Sequence, residues 1–193
     1  YIMNIDHCNT HSSFKDKVYM SNLCQEITLP TTPVQHIDDA EGEIALCILS
    51  AVNLGLIRDK TDLEELCDLS VRALDEIIDY QEYPVEAARI SAESRRSLGI
   101  GYIGLAHYLA KNHVKYDDKD ALVLVDEITE AFQYYLLKAS NNLAQEKGKC
   151  DYFHMTKYSD GILPIDTYKK DLDKIVKRKL SYDWKELRKD IQE

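Results

Sequence analysis

The chain has 193 residues, of which 45% are hydrophobic and 30% charged, as in a water-soluble globular domain or a large part of one. Its net charge of -10 argues against a nucleic-acid-binding surface, where a basic stripe is expected. There is neither an apolar run long enough to span a bilayer nor a signal-peptide layout, so the sequence predicts no membrane association. Because the chain begins with Tyr1 and not methionine, we interpret it as processed or cut from a longer protein.

The number and spacing of the cysteines indicate the cellular compartment of the protein. The chain has five cysteines, an odd number at wide spacings, without a Cys-x-x-Cys pair. This pattern disfavours a disulfide scaffold and a structural zinc site, and it favours the reducing cytoplasm.

The first third of the chain predicts short strands joined by irregular loops. Residues 1–6 read as extended and residues 7–20 as a polar loop. Residues 23–29 alternate as a strand does, and residues 30–41 carry two prolines with other turn-forming residues. Residues 43–49 form a nearly continuous apolar run, which is typical of a strand buried on both faces.

Helical periodicity begins near Thr61, and Asp62 is predicted to cap the first long helix. This helix carries a broad apolar stripe made of Leu63, Leu66, Leu69, Val71, Leu74, Ile77 and Ile78. Pro84 suits the first turn of a second helix that ends near Arg96.

The rest of the chain adds one strand and more helices. Residues 98–104 predict an inner strand leading into a short helix, and Asp118–Lys147 is the longest helical pattern, closed by Gly148. Two shorter amphipathic segments follow, around Thr167–Val176 and Asp183–Ile191. Strands followed by helices indicate an α/β architecture, although too few strands are visible to close a barrel.

The most informative pattern is an amide, a thiol and a carboxylate at every second position: Asn22, Cys24 and Glu26. If this stretch is extended, the three side chains share one face. The thiol can then serve as nucleophile, metal ligand or hydrogen-atom donor. A neighbouring carboxylate raises the pKa of a thiol and weakens it as a nucleophile, which favours radical chemistry with a neutral S–H. Each residue also has an ordinary interpretation, as a small hydrophobe, a turn residue or a solvated charge.

Other candidate sites are weaker. Residues 6–11 crowd metal-capable side chains together, but the adjacent His7 and Cys8 would diverge, so a hydrogen-bonded loop is favoured over a metal site. Cys47 lies in an apolar run, where an inert core cysteine is ordinary. The pattern Gly99-x-Gly101-x-x-Gly104 lacks the βαβ unit and acidic residue of a dinucleotide site.

With these residues in view, the chain closely resembles the large (alpha) subunit of aerobic class I ribonucleoside-diphosphate reductases. The matching stretches run in order along the full length: residues 4–11 (NIDHCNTH), 21–26 (SNLCQE), 42–47 (GEIALC), 53–55 (NLG), 98–101 (LGIG), 134–140 (YYLLKAS) and 161–170 (GILPIDTYKK).

The resemblance implies a fold and roles for four residues. The chain would be part of a ten-stranded α/β barrel with a central finger loop: residues 1–60 would hold strands and the finger loop, and residues 61–193 a mainly helical section. Cys24 matches the radical cysteine, Glu26 the carboxylate that takes the 3′-OH proton, and Asn22 the amide that binds the ribose hydroxyls. Cys47 matches one of two redox-active cysteines, which reverses its interpretation from spacing alone. The second redox-active cysteine belongs to a segment that this chain does not contain.

The resemblance also implies a reaction and partners. The parent enzyme reduces ribonucleoside diphosphates to deoxyribonucleoside diphosphates for DNA synthesis. It needs the remaining segments of the large subunit, a small subunit with a metal-radical centre, thioredoxin or glutaredoxin as dithiol reductant, and nucleotide effectors. No metal or cofactor is expected to bind this segment, which should be inactive by itself. Two alternatives stay open: a non-catalytic split or truncated fragment that acts as a structural complement, and a coenzyme-B12-dependent reductase of the same barrel.

Overall fold

The computed structural model describes residues 2–168, 170–175 and 179–193 of the chain. The described helices are α1 (Ile5–His11), α2 (Lys60–Tyr80), α3 (Glu86–Arg95), α4 (Leu105–Lys111), α5 (Lys119–Lys147), α6 (Pro164–Thr167) and α7 (Trp184–Gln192). The strands are β1 (Ile48–Asn53) and β2 (Leu98–Ile103), and short 3-10 helices lie at Leu54–Leu56, Phe153–Met155, Lys157–Asp160 and Lys170–Lys174. None of the helices in these ranges is long and apolar enough to cross a membrane.

The two strands are parallel neighbours, with Ile48 opposite Leu98 and Asn53 opposite Ile103. Helices α2 and α3 connect them, and α2 packs against both strands and against α5. The mixture of strands and helices agrees with the predicted α/β class.

The two faces of this sheet differ in what covers them. One face turns Val52, Ile100 and Tyr102 into the core formed with α2 and α5. The opposite face carries Leu49 and Ile103, each 56% exposed. We call it the open face; it comprises the odd-numbered positions of β1 and β2 because side chains alternate along a strand.

The cap of helix α2 lies three residues earlier than predicted. Asp59 caps it, since Asp59 Oδ1 accepts hydrogen bonds from the amides of Thr61 (2.9 Å) and Asp62 (3.1 Å). The prediction of Asp62 as the cap was wrong, because Asp62 lies inside the first turn and binds the Arg58 guanidinium.

The apolar stripe of α2 is narrower than predicted. Buried members are Leu63, Val71, Leu74 and Ile78, while Leu66, Leu69 and Ile77 are exposed. Cys67 is fully buried in their place, because a helix buries only the side chains within its contact arc and Cys67 lies one turn after Leu63.

Three other helical predictions agree closely with the structure. Helix α5 is flanked by Asp118 at its start and Gly148, at φ 97°, at its end. Helix α7 is capped by Asp183, and β2 leads directly into α4. Pro84 was wrongly placed inside a helix; it precedes α3 by two residues, and Val85 stands at the cap.

The first third departs most from prediction. Residues 5–11 form α1, capped by the Asn4 side chain, where extended and loop structure was expected. Residues 23–29 are not a strand, and the predicted strand at 43–49 begins only at Ile48. The periodicity of a short apolar run does not distinguish a strand from other buried structure. Here Glu43, the first residue of the run, pairs with Arg95. Tyr1 and Val176, at the ends of two predicted segments, lie outside the described residues.

Candidate functional site

Residues 22–27 form a tight turn and not a strand. The Gln25 amide donates to the Asn22 carbonyl at 3.2 Å, and the Asn22 amide donates to the Ile27 carbonyl at 3.4 Å. The Ile27 amide donates to Asn22 Oδ1 at 3.1 Å. Gln25 adopts the left-handed conformation, with φ of 64°. The chain therefore reverses direction within six residues.

This turn corrects the predicted geometry of the amide, thiol and carboxylate. Alternation along a strand does not align Asn22, Cys24 and Glu26, because the left-handed residue interrupts any extended run. Two of the three side chains nevertheless meet, since Asn22 Nδ2 donates a hydrogen bond to Glu26 Oε1. Cys24 lies at the tip of the turn with its side chain exposed. The turn thus presents a thiol to solvent beside a hydrogen-bonded amide–carboxylate pair.

Cys47 lies directly before β1 and is half-buried. Burial raises the pKa of the Cys47 thiol, and the negative charge of Glu26 raises it further. The fold therefore brings the turn close enough to the start of β1 for the Glu26 carboxylate to act on this thiol. Sequence reasoning offered no geometric link between these two residues; only the resemblance placed them in one site.

The turn is anchored on both sides by a buried arginine that sequence reasoning missed. Arg95 Nε donates to Glu43 Oε2 at 2.6 Å, and Arg95 Nη2 donates to Glu43 Oε1 and Asp16 Oδ2, each at 2.9 Å. The guanidinium carbon also lies 5.2 Å from the Phe14 ring and 5.1 Å from the Tyr152 ring. We call these five residues the Arg95 hub.

The hub matters for the turn because Asp16 precedes residues 22–27 and Glu43 follows them. Both carboxylates bind the same side chain at the end of α3, and that side chain is 2% exposed. The base of the segment is thereby fixed to the helical part of the molecule. The sequence gives only a weak signal for Arg95, because a basic residue near the end of a helix is ordinary.

The other thiols have protected surroundings. Burial, aided by the charge of Glu64, raises the pKa of Cys67 to about 12. Cys150 is half-buried, and burial raises its pKa as well. Cys8 is also half-buried, so that Cys24 is the exposed thiol among the residues that the structure describes.

The metal-capable stretch at residues 6–11 is a helix and not the expected loop. Its Asn9 side chain binds the backbone of Val18, accepting from the amide at 2.8 Å and donating to the carbonyl at 3.0 Å. Within the described ranges, no group of three or more His, Cys, Asp or Glu side chains could hold a metal ion.

The three glycines of the Gly99-x-Gly101-x-x-Gly104 pattern lie within and just after strand β2. Gly99 and Gly101 lie inside β2, and Gly104, at φ 74°, precedes α4. A glycine-rich phosphate loop would instead follow the strand.

A cavity of about 890 Å³ lies between α5, the end of α3 and residues 148–164. Cys47 and Arg95 contribute to its wall, but Asn22, Cys24 and Glu26 do not. The exposed turn is therefore not part of this cavity, and Cys47 is the one of the four predicted site residues that lies on the cavity wall.

Comparison with known proteins places the chain among close relatives. Residues 1–193 match the family model described as the ribonucleotide reductase barrel domain. The ribonucleoside-diphosphate reductase subunit alpha of Haemophilus influenzae is 62% identical over 196 residues, which cover 100% of this chain and 26% of that protein. The corresponding Escherichia coli protein, ribonucleoside-diphosphate reductase 1 subunit alpha, is 56% identical over 195 residues, again 100% and 26%. The subunit alpha of enterobacteria phage T4 is 42% identical over 197 residues, covering 100% of this chain and 25% of the phage protein. The chain thus spans about a quarter of the length of these relatives.

Proposed function

Because the chain belongs to the family of ribonucleotide reductase barrel domains, we propose that it is part of the large subunit of a ribonucleoside-diphosphate reductase. The reaction replaces the 2′-hydroxyl of a ribonucleoside diphosphate by hydrogen and supplies deoxyribonucleotides for DNA synthesis. In this proposal β1 and β2 are two strands of a ten-stranded α/β barrel. The turn at residues 22–27 is the tip of its finger loop.

Cys24 is the hydrogen-atom acceptor in this proposal. Its thiyl radical takes the hydrogen atom from C3′ of the ribose, which forms the S–H bond and leaves one unpaired electron on C3′. The exposure of Cys24 at the tip of the turn supports this role, because the sulfur has to reach a C–H bond of a separate molecule. This exposed position is the observation that carries the proposal.

Glu26 and Asn22 act on the ribose hydroxyls. Glu26 accepts the 3′-OH proton, which helps the neighbouring 2′-OH to leave as water once that group has gained a proton. Asn22 donates hydrogen bonds to the ribose hydroxyls. Their mutual hydrogen bond supports this assignment, because it holds the amide and the carboxylate side by side before substrate arrives.

Cys47 is one of two thiols that reduce the substrate. The two thiols lose two electrons and two protons and form a disulfide, which balances the loss of the 2′-OH as water and the gain of hydrogen at C2′. The second thiol comes from another segment of the large subunit. Thioredoxin or glutaredoxin then returns the disulfide to two thiols by exchange.

The radical itself has to originate elsewhere. We assign its generation to a separate small subunit with a metal centre, and regulation to nucleotide effectors that bind other parts of the large subunit. The assembled enzyme works in the cytoplasm, where thioredoxin and glutaredoxin keep thiols reduced.

The test is made in the complete large subunit, assembled with its small subunit. Cys24→Ser should abolish deoxyribonucleotide formation, because an alcohol O–H bond is too strong to take the place of the thiol. Cys150→Ser, which changes a thiol outside the proposed site, should leave turnover within about twofold.

Two outcomes would overturn the proposal. Full activity of Cys24→Ser would leave the chain only a structural role. Activity that needs coenzyme B12 and no small subunit would assign the chain to the other class of reductase.

A further inference from the structure

Gly99 in β2 lies beside the Cys47 sulfur. A Cβ atom placed on Gly99 in ideal geometry would overlap Leu49 Cδ2 and would lie 3.0 Å from Cys47 Sγ. Optimal contacts between non-bonded heavy atoms lie at about 3.5–4.0 Å, so a methyl group at this position would press on the sulfur. The strand register places Gly99 opposite Leu49, on the open face of the sheet.

Gly101 provides the internal comparison. It follows Gly99 by two residues on the same strand and therefore faces the same side of the sheet. A Cβ atom on Gly101 would meet nothing within 4 Å. Neither glycine is among the residues with positive φ, so backbone conformation does not require glycine at either position. What distinguishes Gly99 is its neighbours.

We propose that Gly99 is a positioning residue for Cys47: the absent side chain leaves the space that the Cys47 sulfur occupies. This inference rests on the proposed redox role of Cys47. A disulfide forms only when both sulfur atoms and both Cβ atoms meet narrow limits of distance and dihedral angle. A sulfur displaced by a neighbouring methyl group would reach its partner thiol less often in the required geometry.

Leu49 and Cys47 respond differently to a side chain at position 99. The Leu49 side chain is 56% exposed and has two side-chain dihedrals, so it can turn away into solvent. The Cys47 sulfur has one rotatable side-chain bond and is half-buried, so it has fewer alternative positions. A methyl group at position 99 therefore acts mainly on the sulfur.

The experiment uses the complete large subunit, reduced beforehand and assembled with its small subunit. Gly99→Ala is compared with Gly101→Ala, which adds the same methyl group to the same face of the same strand. Two rates are measured: product formed in a single turnover without external reductant, and alkylation of Cys47 by iodoacetamide across a pH series, followed by mass spectrometry.

Gly99→Ala should slow the single turnover by about tenfold or more, because small misplacements of reacting groups are costly. The pH profile of Cys47 alkylation should shift as the sulfur changes its surroundings. The KM for the ribonucleoside diphosphate should stay within about twofold, as should both rates in Gly101→Ala, because an open surface position tolerates substitution.

A second variant, Leu49→Ala with Gly99→Ala, removes the overlap with Leu49 and keeps the contact with the sulfur. The double variant should remain as slow as Gly99→Ala. If Gly99→Ala does not fold, the double variant tests the inference in its place. Recovery of normal rates in this double variant would overturn the inference, because Leu49 and not Cys47 would then be the neighbour that requires glycine. Equal rates for Gly99→Ala and Gly101→Ala would overturn it as well.

Cys47→Ser separates this inference from the proposed function. If Cys47→Ser keeps normal turnover, the redox role of Cys47 fails, and the positioning role fails with it. If Cys47→Ser is inactive while Gly99→Ala matches Gly101→Ala, only the positioning role fails.

Discussion

The turn at residues 22–27 and the Arg95 hub, whose Asp16 and Glu43 flank the turn in sequence, are stabilised in opposite ways. The turn is closed by hydrogen bonds within six residues, and its Asn22, Cys24 and Glu26 are exposed. The hub joins α3 to residues 16 and 43 through a side chain that is 2% exposed. An exposed turn is thus joined to a buried ion-pair cluster.

Under the proposed function, this difference follows from what each region has to do. The Cys24 thiol would react with a separate molecule and therefore has to be reachable, so the tip cannot be stabilised by burial. The position of the tip therefore has to be fixed by interactions at its base, and the loss of these interactions destabilises the fold. Buried ion pairs have this property, because removing one partner leaves an uncompensated charge in a low-dielectric environment.

Arg95→Ala should produce the largest change in the fold. It leaves the buried Glu43 carboxylate without its partner, for which we expect a loss of about 3–5 kcal/mol in the free energy of unfolding. Urea unfolding, followed by the fluorescence of Trp184, measures this loss.

The matched control is Arg89→Ala on the same helix. Arg89 pairs with Glu86 and Glu93 at the surface, where ion pairs contribute little. Equal losses for the two variants would show that the hub does not differ energetically from a surface pair.

Glu26→Gln tests the link between the tip and the start of β1. The Glu26 carboxylate repels the Cys47 thiolate and so raises the pKa of Cys47. A neutral side chain should lower that pKa, and the pH profile of Cys47 alkylation should move to lower pH. Burial is the larger cause of the raised pKa, so the pKa should stay above the ordinary value for cysteine.

Glu41→Gln is the control for this change, since it removes a charge from the same segment that does not act on Cys47. An unchanged profile in Glu26→Gln would place the carboxylate out of reach of the thiol.

The smallest effect is expected at Gln25, whose φ of 64° favours glycine. Gln25→Gly should keep or increase the protection of the Ile27 amide from hydrogen exchange, because glycine adopts this conformation without strain. Gln25→Val should reduce the protection, since a branched side chain is disfavoured at positive φ and the left-handed conformation costs roughly 1–2 kcal/mol. Greater protection in the valine variant would contradict the observed turn.

The helical half of the molecule follows from the sequence because its signals are local. Asp118, Gly148 and the apolar spacing between them mark α5 from one end to the other. The cap of α2 was misplaced by three residues for the same reason, because Asp59 and Asp62 carry the same local signal and only the backbone at Asp59 is extended. The alternating residue types at 22–26 led to a wrong prediction of a strand, because such a pattern forms a strand only where a second strand pairs with it.

By itself the sequence predicted the α/β class and the long helices and carried the family resemblance, which in turn made Asn22, Cys24, Glu26 and Cys47 the candidate site residues. Tertiary structure alone decided that residues 22–27 turn, that the charge of Glu26 acts on the Cys47 thiol, and that Arg95 binds a carboxylate 52 residues away. Helix periodicity and caps arise from residues three or four apart, so the chain carries their signal in any short window. A contact such as Gly99 with Cys47 depends on the register of two strands separated by α2 and α3, and only the packed fold sets that register.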